Sequence, residues 1–299
     1  MSIQKIIASL KRKQIRKKTL NAILHSKQKD EGVINLHRID KNNIGDYFCA
    51  PHHYFDSLKN SQLDIFDYKR TQKEITTNFI EKVTNNSLII GGGGLLNRHG
   101  FHLQMKLFQK LSENGKKIVL WGVGHNEKSP KTYGKVTNYN IDISKFGLAG
   151  TRDFNMPGDY VPCVSCMHSV FNEKYVETDE IGVVFHKDTI GKKITEQFKH
   201  LPCTSNTTDL ESLIQFIGKH ETIITNSYHA MYWSMLLNKK VVVIPNSSKF
   251  YGFKYKPIFT SFENSLKDAK NAERQTGILE ECRQLNIDFY NKTANFLNI

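Results

Sequence analysis

Six short groups of residues have the types and spacing to do chemistry, and each follows a run of apolar, often β-branched residues. Asn43-Ile-Gly-Asp46 offers a carboxylate beside a glycine that permits close approach; Asp46 can cap a helix or serve as a base. Gly91-Gly-Gly-Gly94 follows Leu88-Ile-Ile90. Four glycines in a row are entropically costly, so they predict unusual dihedrals or contact with an oxygen-rich ligand through backbone N–H groups; a merely flexible turn is the alternative. The run fits neither the dinucleotide fingerprint nor the P-loop, because Leu96 holds the sixth position and no Gly-Lys-Ser/Thr follows. Trp121-Gly-Val-Gly124-His125 repeats the pattern. Thr151-Arg152-Asp153 supplies a guanidinium able to clamp a carboxylate or phosphate with two N–H groups, or to join a surface network with Asp153. Asn226-Ser227-Tyr-His229-Ala230 runs from a strand into a helix, which sets His229 in a first turn that favours anions. Ser247-Ser-Lys249 adds a point charge after the next strand.

The elements that must position these groups alternate strands with amphipathic helices, the pattern of a parallel sheet. Val33–His37, Leu63–Phe66, Ser87–Ile90, Ile118–Trp121 and Leu148–Thr151 read as strands. Leu103, Leu107, Phe108 and Leu111, supported by Phe101 and Met105, recur at helical spacing until Asn114-Gly115. A second series starts near residue 181. It comprises strands at Ile181–Phe185, near Cys203, at Thr222–Thr225 and at Val241–Ile244, and helices at Asp188–Lys199, after a Thr208–Glu211 capping box, and at Tyr228–Leu237. Leu210, Leu213, Ile214 and Ile217 form the buried stripe of the middle helix, and the last forty residues read as helical and packing back across the molecule. The fold class expected is α/β with two facing Rossmann-like domains: a basic helix over 1–29, an N-terminal domain over 30–175, and a C-terminal domain with a helical tail over 176–299. In such sheets ligands gather beyond the carboxyl ends of the strands, so the cleft between the domains is the expected site.

Taken in order, N-x-G-D, GGGGLL, WGVG, T-R-D and S-x-H-A, followed by a strand and a lysine, resemble the polysaccharide pyruvyltransferase family over roughly residues 33–257. The resemblance implies a GT-B-like frame. It also implies transfer of the enolpyruvyl skeleton of phosphoenolpyruvate to a sugar diol of a capsule or exopolysaccharide precursor, giving a pyruvate ketal. Arg152 and His229 then match donor-holding positions, with Asn226, Ser227 and Lys249 expected beside them. Asn43, Gly45, Asp46, Gly92, Gly93, Gly94 and His125 are expected on the acceptor side. A histidine of ordinary pKa, about 6.5, is the expected acid and Asp46 the expected base. No cofactor and no metal are expected. A glycosyltransferase using a nucleotide sugar is the alternative enzyme. It would want a ribose-binding carboxylate in the second domain, and Glu221 and Asp209 are the nearest candidates.

Charge sets the remaining limits. The chain of 299 residues carries 42 basic and 29 acidic side chains, a formal +13. Residues 1–29 hold nine of the basic residues and no acid, which leaves the rest at +4. No continuous apolar core makes this leader a secretory signal. Its helix, read over Ile3–Leu24 with Ile6, Ile7, Leu10 and Ile15 among the cations, either lies on anionic lipid or covers the first domain as a solvated face. No aromatic side chains interleave with the cations, so nucleic acid is not an expected partner. A non-enzymatic basic scaffold would leave the strand-end groups without purpose. Five cysteines with no export signal predict free thiols in the cytoplasm, with peripheral contact at the inner membrane face. Cys163-x-x-Cys166 with His168 lacks a second cysteine pair for a structural zinc.

Overall fold

A computed structural model of the chain describes residues 3–59 and 62–299. The side chains of residues 3–9, and with them the expected contributions of Lys5, Ile6 and Ile7, lie outside the described residues, as does that of Asp179.

Two all-parallel sheets organise the described residues. The first comprises β1 (Val33–His37), β2 (Gln62–Asp64), β3 (Ser87–Leu96), β4 (Ile118–His125), β5 (Leu148–Thr151) and β6 (Asp159–Tyr160), in the order β2-β1-β3-β4-β5-β6. The second comprises β7 (Asp179–Phe185), β8 (Cys203–Ser205), β9 (His220–Thr225), β10 (Lys240–Val243) and β11 (Ile258–Phe259), in the order β11-β10-β9-β7-β8. Both sheets are parallel because helices or long connections carry the chain back between strands. Both reverse winding direction at one place, between β1 and β3 and between β7 and β9, and ligand crevices form at such reversals.

Helix α1 spans Ile3–His25, α2 Lys73–Asn85 and α3 His99–Glu113. α3 ends at Asn114, followed by Gly115 at φ +93°, as the Asn-Gly pair predicts. Its buried stripe is Phe101, Met105, Phe108 and Leu111, whereas Leu103, expected on it, is 56% exposed. α1 packs through Thr19, Leu20, Ile23 and Leu24 on the first core, while Leu10 is 57% exposed. The covering role therefore belongs to its second half, not to the Leu10–Ile15 stripe. Among the described residues no helix is long and apolar enough to cross a membrane.

In the second sheet's layer, α4 (Leu210–Lys219) buries Leu210, Leu213, Ile214 and Ile217 as the spacing requires. Its cap differs from expectation: the Asp209 carboxylate accepts from Ser212 N at 2.8 Å, because the helix starts one residue later than a Thr208 box needs. The expected helix over Asp188–Lys199 is a turn followed by a 3₁₀ segment, Lys193–Phe198. Gly191, at φ +73°, stands where a right-handed helix would have to pass. α5 (Tyr228–Leu236) is buried on all sides.

α6 (Ile278–Leu297) returns from the second sheet to the first, where Phe289 and Leu297 join Trp121, Val119 and Ile89 in one core. A buried polar pin fixes it: Trp121 Nε1 donates to Asn286 Oδ1 at 2.9 Å, and Asn286 Nδ2 donates to the Cys282 carbonyl at 2.9 Å. Asn286→Ala leaves the indole N–H buried without an acceptor, at a cost of about 1–3 kcal/mol. A lower urea midpoint with an unchanged slope is the expected result; an unchanged midpoint would show the pin to be unimportant.

Candidate functional site

Loops at both winding reversals enclose one cavity of about 270 Å³, lined by residues of both sheets. It lies below the roughly 300–1,000 Å³ typical of drug-sized ligand sites, which favours a small ligand. Of the sequence-predicted residues, Asn43, Asp46, Gly92, Gly93, Gly94, Arg152, Ser227, His229 and Lys249 line it.

Arg152 follows β5 and is 1% exposed, with its guanidinium 4.1 Å over the Tyr228 ring. Its Nε and Nη2 have no hydrogen-bond partner. Buried N–H groups are nearly always paired, so two unpaired ones at a cavity wall mark a place for an anion. Gly124 is what lets the arginine lie there, because a Cβ at that position would stand 2.8 Å from Arg152 Cγ and Nε. Asp153, whose charge favours the guanidinium, makes no ion pair with it among the described residues. Asp153 instead accepts from His125 N at 2.7 Å and from Tyr139 Oη at 3.1 Å.

Opposite, α5 begins at the cavity with Tyr228 and His229. The His229 ring lies against the Gly45 backbone, where an added Cβ would be 2.0 Å from Nδ1, and its Nε2 is 3.6 Å from Cys163 Sγ. Burial, then the charges of Arg152, Lys249 and His186, hold the pKa of His229 well below the usual value. This environment favours the neutral imidazole, where an ordinary value had been expected for the acid. Lys249 is pushed down to about 7 by burial and the cations around it. Burial pushes the Asp46 carboxyl up, with Lys249 opposing, and Asn43 Nδ2 donates to Asp46 at 2.7 Å.

Three of the expected site residues, His125, Asn226 and Gly45, do not line the cavity. His125 is buried beneath the cleft, with Nδ1 2.7 Å from Ser248 Oγ, because β4 continues past Gly122 and Gly124 to His125 itself. Asn226 accepts from His186 N at 2.7 Å and donates to Thr189 at 2.6 Å, so it braces the loop after β7. Gly45 packs against the His229 ring. The glycine run is no turn but the second half of β3, pairing Gly91 with Trp121 and Gly93 with Val123. A side chain at Gly92 would strike Cys49, whereas a Cβ at Gly93 would meet nothing within 4 Å.

The sequence reading missed Arg38, Arg98, Lys128, His186 and Lys187, which also line the cavity. Arg38 follows β1, and His186 and Lys187 follow β7, so the strand-end rule could have found them. Lys187 pairs with Asp40 across the cleft at 3.0 Å, whereas Arg98, Lys128, Arg152 and Lys249 make no ion pair among the described residues. Glu221 pairs with Lys240 at 2.8 Å and Asp209 caps α4, and neither lines the cavity.

This charge distribution gives the site a pH signature. Sulfate keeps its charge from pH 6 to 9, so any pH dependence of its binding belongs to the protein. Lys249 attracts it when protonated, so affinity is highest below about 7 and falls as pH rises. The bound anion raises the lysine's pKa, which moves the fall to above that value. Calorimetric titration of the wild type and of Lys249→Met checks this: a flat wild-type profile would remove Lys249 from the site.

The chain matches no protein-family model and no curated protein sequence.

Proposed function

We propose that the protein is a pyruvyltransferase that forms a pyruvate ketal on a sugar of a cell-surface polysaccharide precursor, with phosphoenolpyruvate as donor. The observation that carries this reading is the buried Arg152 guanidinium, with two N–H groups unpaired beside Lys249 and the start of α5. A carboxylate and a phosphate on a three-carbon frame suit that concentration of positive charge and a cavity of about 270 Å³. The strand-end motifs that resemble the pyruvyltransferases support it independently, and two facing parallel sheets agree with a GT-B-like frame.

Arg152 and Lys249 hold the donor's anionic groups. The donor's negative charge offsets the cations that depress His229, raises its pKa and lets it protonate the enol methylene. The carbon becomes a methyl-bearing oxocarbenium centre. One sugar hydroxyl attacks it while Asp46 takes its proton, a role that suits a carboxylate of raised proton affinity. The second hydroxyl attacks as the carbon–phosphate oxygen bond breaks. Two carbon–oxygen bonds form and one breaks; one hydroxyl proton is recovered on the methyl group, and the other leaves with hydrogenphosphate.

The exposed cations of α1, Lys11 to Lys13 among them, suit peripheral contact with an anionic membrane where lipid-linked sugars are assembled. The reaction is tested by incubating the protein with phosphoenolpyruvate and cell-envelope glycans. Acceptor-dependent phosphate release and a gain of about 70 Da on the glycan, the mass of pyruvic acid less one water, are expected for ketal formation. Consumption of a nucleotide sugar with no phosphate release would make it a glycosyltransferase instead.

A further inference from the structure

Outside the cleft, three imidazoles from two segments converge. His37 ends β1, and His52 and His53 lie in the 3₁₀ turn Pro51–His53. One ligand nitrogen from each lies within 4.8 Å of the other two. His37 is 0% exposed and, apart from an approach to the Tyr47 backbone, neither of its ring nitrogens has a hydrogen-bond partner; His52 is 6% exposed and its Nε2 is unpaired. The Tyr47 carbonyl close by is already the partner of His53 Nε2, at 2.9 Å. An imidazole must carry at least one N–H, so a fully buried one with no partner of its own is as anomalous as the Arg152 guanidinium.

We propose that His37, His52 and His53 bind one zinc-type divalent transition ion. Three atoms no more than 4.8 Å apart lie within about 2.8 Å of a common point. Shifts of about 0.7 Å then bring each nitrogen to the 2.0–2.1 Å of a zinc–imidazole bond. Arg38, the nearest cation in the chain to His37, is paired with Asp64 and, at 3.9 Å, with Asp40, which offsets its repulsion of a metal. Neutral nitrogen donors select against magnesium and calcium, which take oxygen. Among the described residues no fourth His, Cys, Asp or Glu joins the group, so water takes the remaining tetrahedral position.

The ion would tie the end of β1 to the turn that closes the segment carrying Asp46 and Cys49 into the cleft. This role does not depend on which reaction the cleft performs. No metal was expected from the sequence, and nothing in one dimension pairs His37 with His52.

The test uses the untagged full-length chain, stripped with a chelator and titrated with Zn²⁺ against a competing indicator. One Zn²⁺ per chain is expected, and Co²⁺ in its place should show the visible bands of a tetrahedral nitrogen site. His52→Ala and His53→Ala should weaken binding more than about 100-fold, beyond what losing a supporting contact to a ligand costs. His200→Ala, at an exposed remote histidine, should leave it unchanged. Circular dichroism checks that each variant is folded, and chelator should lower the melting temperature of the wild type but not of His53→Ala. A wild type that takes up no stoichiometric Zn²⁺, or stoichiometric binding that survives in the folded His52→Ala/His53→Ala double variant, overturns the proposal.

Discussion

Arg152→Met is expected to weaken anion binding steeply while raising the melting temperature of the ligand-free protein. Most substitutions of fully buried residues destabilise, so the opposite sign is diagnostic. The wild-type guanidinium is buried with Nε and Nη2 unpaired, and each buried donor left without a partner costs about 1–3 kcal/mol. Its stacking 4.1 Å over Tyr228 returns about 2 kcal/mol at most. Methionine keeps the apolar packing and removes the charge, so the ligand-free protein should gain about 1–2 kcal/mol, a few degrees at this size. Losing one partner of a buried charge-assisted pair costs about 2–5 kcal/mol, so anion affinity should drop by about 30- to 5,000-fold. Calorimetry with sulfate and a thermal melt read the two effects separately. A falling melting temperature with binding intact would make Arg152 a structural residue.

Gly45→Ala is expected to cripple turnover although residue 45 does not line the cavity. The new methyl would lie 2.0 Å from His229 Nδ1 and 2.3 Å from Cγ. The ring cannot retreat, because Cys163 Sγ is 3.6 Å from its far nitrogen and Trp233 packs on it at 5.4 Å between centroids. Overpacking of this kind costs about 1–3 kcal/mol. A displacement of about 1 Å at a reacting group costs about 100-fold in rate. The double variant Gly45→Ala/His229→Ala separates the two effects. It should recover part of the lost stability, since the ring is gone while the Cβ of residue 229, 2.7 Å from the new methyl, remains, and none of the turnover. A Gly45→Ala protein with wild-type stability and rate would mean that His229 is not held against this loop.

Much of the architecture is legible in one dimension because buried parallel strands are continuous apolar runs bounded by turn residues. β1 and β5 begin and end where those runs do. The glycine run misleads because glycine has low strand propensity, yet β3 extends through Gly91–Gly94 since β4 continues to pair beside it. The same extension carries His125 under the cleft, which spacing alone could not reveal. Near Asp188, apolar spacing suggests a helix, but Gly191 imposes a turn. Of the site, Arg152, His229 and Lys249 are legible because strand-end position and charge select them. Their burial, and with it the lowered pKa of His229 and the unpaired guanidinium, depends on how the second sheet closes over the first. The zinc-type cluster is illegible for the same reason: β1 and the turn after Pro51 meet only in three dimensions.

The central claim is that the Arg152–His229–Lys249 cleft receives phosphoenolpyruvate. Titration of phosphoenolpyruvate into the full-length protein, with nucleoside diphosphate sugars titrated in parallel, tests it most directly. The account predicts one phosphoenolpyruvate bound per chain, binding steeply weakened in Arg152→Met, and no uptake of a nucleotide sugar. A protein that binds a nucleoside diphosphate sugar and ignores phosphoenolpyruvate would contradict it.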